Sequence, residues 1–179
     1  MNRCRWCNEK NPTYVTYHDC EWGILKLDDS YLFEMLLLES FQAGLSWECI
    51  LNKRENFKES FDHFNWNIIA KYNQKKIDEL MKNQGIIRNK RKIESTINNA
   101  KIFQEILEEF GSFETYLRSF WNGKIIKEND KTTNELSDKI SNDLQKRGMK
   151  FVGSTIIYSY LQAIGIISSH EDTCDWRLK

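Results

Sequence analysis

Apolar residues recur every three or four positions over most of the chain, the period of a helix packed on one side. The pattern is clearest from about Lys90 to Phe110. There Ile93, Ile97, Ala100, Phe103, Leu107 and Phe110 share one face, and Gly111 supplies a stop. Leu32, Met35, Leu36 and Ala43 line up in the same way, with Asp28, Asp29 and Ser30 as candidate N-caps and Gly44 ending the run. A second helix follows through Trp47, Ile50 and Leu51, Asn65 caps a short one through Ile68 and Ile69, and Asn73 another through Ile77 and Leu80. Phe113, Leu117 and Phe120 predict a helix before the turn at Asn122-Gly123. Residues 127–134 are polar and predict a surface loop, within which Thr132 and Glu135 have capping-box spacing for a helix on Leu136, Ile140 and Leu144. That helix ends near Arg147-Gly148, and the link Met149 to Gly153 leads into an apolar helix on Ile156, Tyr160 and Ala163. No segment alternates with the period of a strand worth defending, and no internal repeat is present. The expected fold is all-α, a helical bundle with short connections forming one domain over residues 1–179.

Composition sharpens this picture. With 40% hydrophobic residues in 179 positions the chain can bury one sizeable core, and a single proline, Pro12, leaves it free to be helical. Phe151–Ile167 lacks charged residues, yet it falls short of the ~20 residues of a bilayer span and contains Gly153, Ser154, Thr155, Ser159 and Gln162. It reads as a buried core helix, so no membrane association is expected. Formal net charge is zero, which excludes a general basic coat for nucleic acid and leaves only a local basic patch for any DNA contact. Met1 to Lys10 does not resemble a secretory signal, and the five cysteines are an odd number. A reducing, cytoplasmic setting follows, in which cysteines are free thiols or metal ligands.

Three places carry candidate chemistry. The first is Lys146-Arg147-Gly148-Met149-Lys150-Phe151-Val152-Gly153-Ser154-Thr155, a glycine-bearing hairpin between two helices. The backbone N–H groups opening the second helix suit a phosphate, with Lys146, Arg147 and Lys150 beside them, although an ordinary helix–turn–helix connection has the same pattern. The basic run Arg88 to Lys92, at the head of the long helix, would likewise be relieved by a phosphate or stand as a solvated face.

The second is a set of cysteines and histidines at the two chain ends. Cys4 and Cys7 have C-x-x-C spacing, His18 follows, and His170 and Cys174 share a face if that stretch is helical. A tetrahedral ion could join them, closed by four protein ligands and therefore structural. Spacing alone leaves the choice between Cys7 and His18 open, with Cys20 a weaker candidate; Cys49 and His63 fit no pattern.

The third is Glu39, a carboxylate inside the apolar stripe of the helix ending at Ala43, with Tyr14, Tyr17, Trp22, Trp47 and Trp6 nearby in sequence. A buried carboxylate is costly without a compensating partner. Either it is a core glutamate bonded to tyrosine hydroxyls, or it belongs with the aromatic rings to a receptacle for a flat cation.

Together these residues resemble the type I 3-methyladenine DNA glycosylases of the helix-hairpin-helix superfamily. The resemblance runs nearly end to end: Cys4-x-Trp6, Tyr14-x-x-Tyr17-His18-Asp19-x-Glu21-Trp22-Gly23, Leu32-Phe33-Glu34-Met35, Leu38-Glu39, Gln42-Ala43-Gly44-Leu45-Ser46-Trp47, Lys53-Arg54-Glu55, Gly85-Ile86-Ile87-Arg88, Lys150-Phe151-Val152-Gly153 and His170-x₃-Cys174. It implies one structural zinc ion on Cys4, His18, His170 and Cys174, with Cys7 and Cys20 free. It implies Glu39 as the base-recognising carboxylate, Tyr17 and Trp47 lining the pocket, and Tyr14, Trp6 and Trp22 around them. Gln42, Gly44 and Leu45 would form a wedge filling the gap left by a flipped nucleotide. Gly148, Lys150, Gly153 and Ser154 would hold the backbone of alkylated double-stranded DNA, and a monomer is the default expectation. Two departures from the wider superfamily stand out. The stretch Ile167-Ser168-Ser169-His170 lacks the aspartate many relatives carry there, and Thr155 occupies the position of the Schiff-base lysine of strand-cleaving relatives. The second departure implies no lyase activity.

Overall fold

Helix α2 (Asp29–Gln42) is the axis of the molecule. Ten of its residues are buried, Glu34 being the only break between Tyr31 and Phe41, so it is covered on nearly every side rather than along one stripe. The structure, a computed structural model, describes residues 1–177. It begins with α1 (Pro12–Cys20), opened by an Asn11 cap with Pro12 at the first helical position. After α2 come α3 (Trp47–Leu51), α4 (Arg54–Ser60), a short 3₁₀ turn at Asp62–Phe64, α5 (Trp66–Ile69) and α6 (Gln74–Lys82). The longest helix, α7 (Lys90–Phe110), is followed by α8 (Phe113–Arg118), α9 (Glu135–Lys146) and α10 (Ser154–Ala163). The all-helical expectation holds, and most caps sit where side-chain chemistry put them: Asp28 accepts from the Tyr31 N–H at 3.0 Å, Asn73 caps α6 and Asn89 caps α7.

Besides α1 and α4, which the periodicity does not reveal, two details differ from the sequence reading. The capping box of α9 is Asn134 with Ser137, not Thr132 with Glu135, because the helix begins two residues later and Asn134 is the stronger cap. A two-residue parallel pair, β1 (Ile126–Lys127) with β2 (Ile167–Ser168), ties the head of the polar loop to the segment after α10. Strands that short have no alternation to detect.

α10 packs on both α2 and α9, while α7 packs on α2, α5, α6 and α8. Through the middle, Phe33 packs edge-on against Phe103 at 4.9 Å and Phe103 stacks on Phe113 at 4.6 Å between ring centroids. Beyond α10 the chain turns at Gly165 (φ +81°), pressed against the backbone of Ile24 and Leu25. The Gly23 N–H donates to the Gln162 carbonyl, and the Lys26 N–H to that of Ile164. This seam places the N-terminal aromatic segment over the start of the C-terminal tail. No helix among the described residues is long and apolar enough to cross a membrane.

Candidate functional site

A cavity of about 280 Å³ opens between α1, α2, α3 and α10. Glu39 projects into it from α2, Tyr14 and Tyr17 from α1, Trp47 from the first turn of α3, and Trp6 and Trp22 from the segments flanking α1. The six residues singled out around a base pocket are thus brought to one space. The rings fall into two clusters along the wall: Trp6 lies 5.3 Å from Tyr14 and 4.7 Å from Trp22, and Tyr17 lies 5.4 Å from Trp47.

Glu39 is 3% exposed, and its Oε2 has no hydrogen-bond partner among the described residues. The alternative of a core glutamate bonded to tyrosine hydroxyls is therefore not what the structure holds. Burial alone, with no compensating charge, pushes its carboxyl up to about 8. Tyr17 is pushed up well beyond an ordinary phenol, by burial and then by the neighbouring Glu39, so it stays a neutral donor.

The opposite wall was not legible in the sequence. Asn129 and Asp130 reach it from the polar loop, Ser159 and Gln162 from α10, and Ser169 and Glu171 from the tail. Ser169 stands at this wall, and two carboxylates besides Glu39 border the cavity. Asp130 sits at a left-handed φ of +62°, and Glu171 accepts from the Arg5 backbone N–H at 3.2 Å and the Arg5 guanidinium at 3.3 Å. Loop residues without periodicity carry no signal that places them in a wall.

Behind the aromatic wall, Cys4, His18, His170 and Cys174 are all buried, and their ligand atoms lie within 4.8 Å of one another. Cys4 Sγ to His170 Nδ1, Cys174 Sγ to His170 Nδ1 and Cys174 Sγ to His18 Nε2 are each 3.5 Å. A tetrahedron with metal–sulfur bonds of about 2.3 Å and metal–nitrogen bonds of about 2.05 Å has N···S edges of about 3.6 Å. The cluster therefore has the dimensions to hold a metal ion. His18 Nδ1 is 2.8 Å from Asp19, itself held by Arg3 at 2.8 Å, which orients the ring with Nε2 toward the centre. Burial and then His18 lower His170 to about 4, keeping that ring neutral, as a ligand must be. Burial pushes the Cys4 thiol up to about 12, an effect a dication would reverse. Cys7 lies outside, its thiol against the Tyr14 carbonyl, and Cys20 is exposed. His170 and Cys174 sit in a run of turns, not a helix, with the Cys174 N–H donating to the Glu171 carbonyl. The centre also backs the cavity, since Trp22 packs edge-on against His170 at 4.6 Å and Trp6 lies 5.2 Å from His18.

Two surface features are expected to meet DNA, and one of them, the turn after α2, borders the cavity through Gln42. α2 ends in a turn whose Leu45 N–H donates to the Gln42 carbonyl at 2.6 Å. Ala43 (φ −46°, ψ 113°) and Gly44 (φ +80°) make it type II, the turn that needs glycine at its third position. Leu45, 40% exposed, stands at its tip.

The hairpin between α9 and α10 closes α9 with a Schellman arrangement: the Met149 N–H donates to Leu144 and the Gly148 N–H to Gln145, with Gly148 at φ +99°. Gly153 precedes α10 without a side-chain cap, which leaves its first N–H groups uncovered. Not every predicted contact faces outward. The Ser154 hydroxyl is bonded to Asp138 and to Ser137. Arg147 pairs with Asp143 at 2.7 Å and Glu109 at 2.6 Å, so of the three basic neighbours Lys146 and Lys150 remain exposed. Lys92, expected in a phosphate-facing or solvated run, is buried.

Comparison with known proteins fits this geometry. The model of the methyladenine glycosylase family matches residues 6–178. DNA-3-methyladenine glycosylase 1 from Escherichia coli (strain K12) is 38% identical over 180 residues, covering 97% of this chain and 96% of the relative. DNA-3-methyladenine glycosylase from Haemophilus influenzae is also 38% identical, over 179 residues and 96% of both chains. The solved 3-methyladenine DNA glycosylase I of Staphylococcus aureus, a structure addressing how that enzyme recognises 3-methyladenine, superposes with a TM-score of 0.94 at 34% identity. That match covers 100% of this chain and 98% of the other.

Proposed function

The chain belongs to the methyladenine glycosylase family, and on that footing we propose that it removes 3-methyladenine from alkylated DNA by hydrolysing the N-glycosidic bond, the first step of base-excision repair. One observation carries the site assignment. A buried carboxylate, Glu39, without a hydrogen-bond partner among the described residues, faces an aromatic-walled cavity large enough for one base. Such a group is costly in an empty cavity and favourable beside a cation that donates hydrogen bonds.

The methylated base carries positive charge while attached to the sugar. Once flipped out of the duplex, it enters between Tyr17 and Trp47, with Tyr14, Trp6 and Trp22 closing the sides. Stacking contributes ~1–3 kcal/mol. Glu39 accepts from the purine edge. When the bond to C1′ breaks, its electron pair passes to the base, which leaves neutral and needs no proton. Water adds to C1′ and releases a proton to solvent, leaving an abasic site. Unmodified bases lack this leaving-group advantage and the charge attraction to Glu39, which is the basis of selectivity against them, while the match of donors on the purine edge to Glu39 separates 3-methyladenine from other cationic bases. Gln42, Gly44 and Leu45 occupy the gap in the stack, while Gly153 and the first turn of α10 hold a phosphate through uncovered N–H groups, with Gly148 shaping the hairpin and the Lys150 ammonium supplying charge beside them. The Ser154 backbone N–H, not its bonded hydroxyl, serves there. Thr155 offers no amine, so the enzyme is monofunctional. Zinc is the metal whose tetrahedral N₂S₂ preference suits Cys4, His18, His170 and Cys174. These four residues would hold it as a structural ion that fastens the N-terminal aromatic segment to the C-terminal tail, and four protein ligands would leave no position for chemistry. A monomeric, cytoplasmic protein of one domain fits this role.

The test is release of free base from methylated duplex by wild type and Glu39→Gln, matched for metal content and melting temperature. We expect wild type to release 3-methyladenine in preference to 7-methylguanine, and the variant to be slowed about 10–100-fold, the value of a hydrogen bond to a charged group. A folded, metal-loaded wild type that binds alkylated duplex but releases nothing would make the protein a damage sensor instead.

A further inference from the structure

Lys92 is 6% exposed, on the first turn of α7, with no carboxylate within ion-pair distance among the described residues. Instead its ammonium donates to the Phe41 carbonyl at 2.7 Å and the Ala43 carbonyl at 2.6 Å. Burial lowers its pKa, and burying an ammonium costs several kcal/mol unless something compensates. The compensation is the C-terminal end of α2, where unpaired carbonyls and the negative pole of the helix dipole converge. The Phe151 ring of the hairpin, 5.8 Å from the ammonium, adds to it.

The second carbonyl is the informative one. Ala43 C=O belongs to the central peptide of the turn Gln42–Leu45, and types I and II differ by a flip of that peptide. A cation bonded to this oxygen holds it on one side, keeps Gly44 at positive φ and fixes where Leu45 points. The same helix grips the hairpin two turns further on. Asn98 donates to the Gly148 carbonyl, and Asn99 both donates to the Lys150 carbonyl and accepts from the Lys150 N–H, each at 2.9 Å. α7 thus holds the turn and the hairpin from beneath at a fixed spacing.

We propose that Lys92 is a positioning residue for base extrusion: its bond to the Ala43 carbonyl locks the type II turn that presents Leu45 to the duplex, in register with the phosphate grip that Asn98 and Asn99 fix on the same helix. The proposal rests on the reading of Gln42, Gly44 and Leu45 as a wedge. Lys92 does not touch the base, so its loss affects opening of the stack and not recognition.

The experiment compares wild type, Lys92→Met, the milder Lys92→Gln, Leu45→Ala and the double variant Lys92→Met/Leu45→Ala. Three readouts are taken: single-turnover release of 3-methyladenine, unstacking reported by 2-aminopurine beside the target, and affinity for free 3-methyladenine by tryptophan fluorescence. Lys92→Met should lose unstacking and slow release from paired duplex at least tenfold, with free-base affinity within twofold of wild type. The defect should shrink when the target lies opposite a mismatch, where flipping is easier. Lys92→Gln should fall between, and the double variant should be no worse than the worse single one, since both act through one turn. Wild-type unstacking in both lysine variants overturns the proposal, as does an equal defect on paired and mispaired targets or full additivity with Leu45→Ala. A wild type that unstacks the duplex but releases no base overturns the glycosylase reading instead, and the unstacking comparison still decides the role of Lys92.

Discussion

Glu39 Oε2 and Trp47 Nε1 are buried in the wall of one cavity, and neither has a hydrogen-bond partner among the described residues. One is an acceptor and the other a donor, both left open to the same space. A purine edge carries groups of both kinds, so a bound base relieves what the empty cavity leaves unsatisfied. The free protein is accordingly less stable than its sequence could make it, and the deficit sits where the chemistry is.

The Glu39 carboxyl should reveal that deficit through pH. Its folded-state value, about 8, lies above the ordinary carboxylate value of 4.5. The folded state therefore holds the proton more tightly, and the contribution is complete below about 4.5 and lost as pH rises through about 8. Glu39→Gln should melt higher than wild type, with a gap that widens from pH 5 to 8 by on the order of 1 kcal/mol per unit and then levels. Melting curves at four pH values check this; a constant or narrowing gap would show that Glu39 is already ionised in the empty pocket.

If zinc occupies the cluster as proposed, removing it should damage the pocket as well as the fold, because Trp22 and Trp6 lean on the two histidine rings. Cys4→Ser and Cys174→Ser should each abolish binding of one zinc per chain and cost at least about 3 kcal/mol, roughly 6–12 °C in Tm. Both should also weaken binding of free 3-methyladenine. Cys20→Ser, at an exposed position, should keep the ion and stay within about 0.5 kcal/mol. Metal analysis of the purified variants decides; zinc retained in Cys174→Ser would remove that residue from the ligand set.

Gly165 is where the tail is closest to the N-terminal segment. A Cβ there would lie 2.3 Å from Ile24 C and from Leu25 N, backbone atoms that cannot rotate away, and the φ is +81° besides. Gly165→Ala should cost about 2–5 kcal/mol from overpacking and left-handed strain together. Chemical denaturation checks the figure, and a loss under 1 kcal/mol would mean the seam is softer than its geometry.

On the proposed monofunctional reading, incubation with abasic DNA and borohydride should trap no covalent adduct, because Thr155, exposed at the position that the resemblance matches to a Schiff-base lysine, carries no amine. A trapped band that disappeared on mutating one lysine would identify an amine in the site and end the monofunctional reading.

Periodicity and capping chemistry made the large helices legible, α7 from Lys90 to Phe110 most of all, since one face of it is core. α1 was missed because its residues, aromatic, β-branched and polar, form no stripe, although Asn11-Pro12 is a usable start signal. At the site, Glu39 announced itself as a charge among apolar residues. Nothing local separated His18 from Cys7 as a ligand, because the distinction depends on chain ends meeting across the fold. Lys92 was misread for the same reason. A basic residue at a helix start looks like a phosphate contact until the carbonyls of another helix are seen beside it.

The clasp between Cys4 and His170 joins residues 166 apart, and that separation orders events during synthesis. Trp6, Tyr14, Tyr17 and Trp22 leave the ribosome long before His170, whose ring braces Trp22. A nascent chain therefore carries an unfinished pocket until His170 and Cys174 arrive. On the proposed zinc site, capture of the ion would complete it, so newly made protein in a metal-starved cell would accumulate with its helices formed and its pocket unassembled.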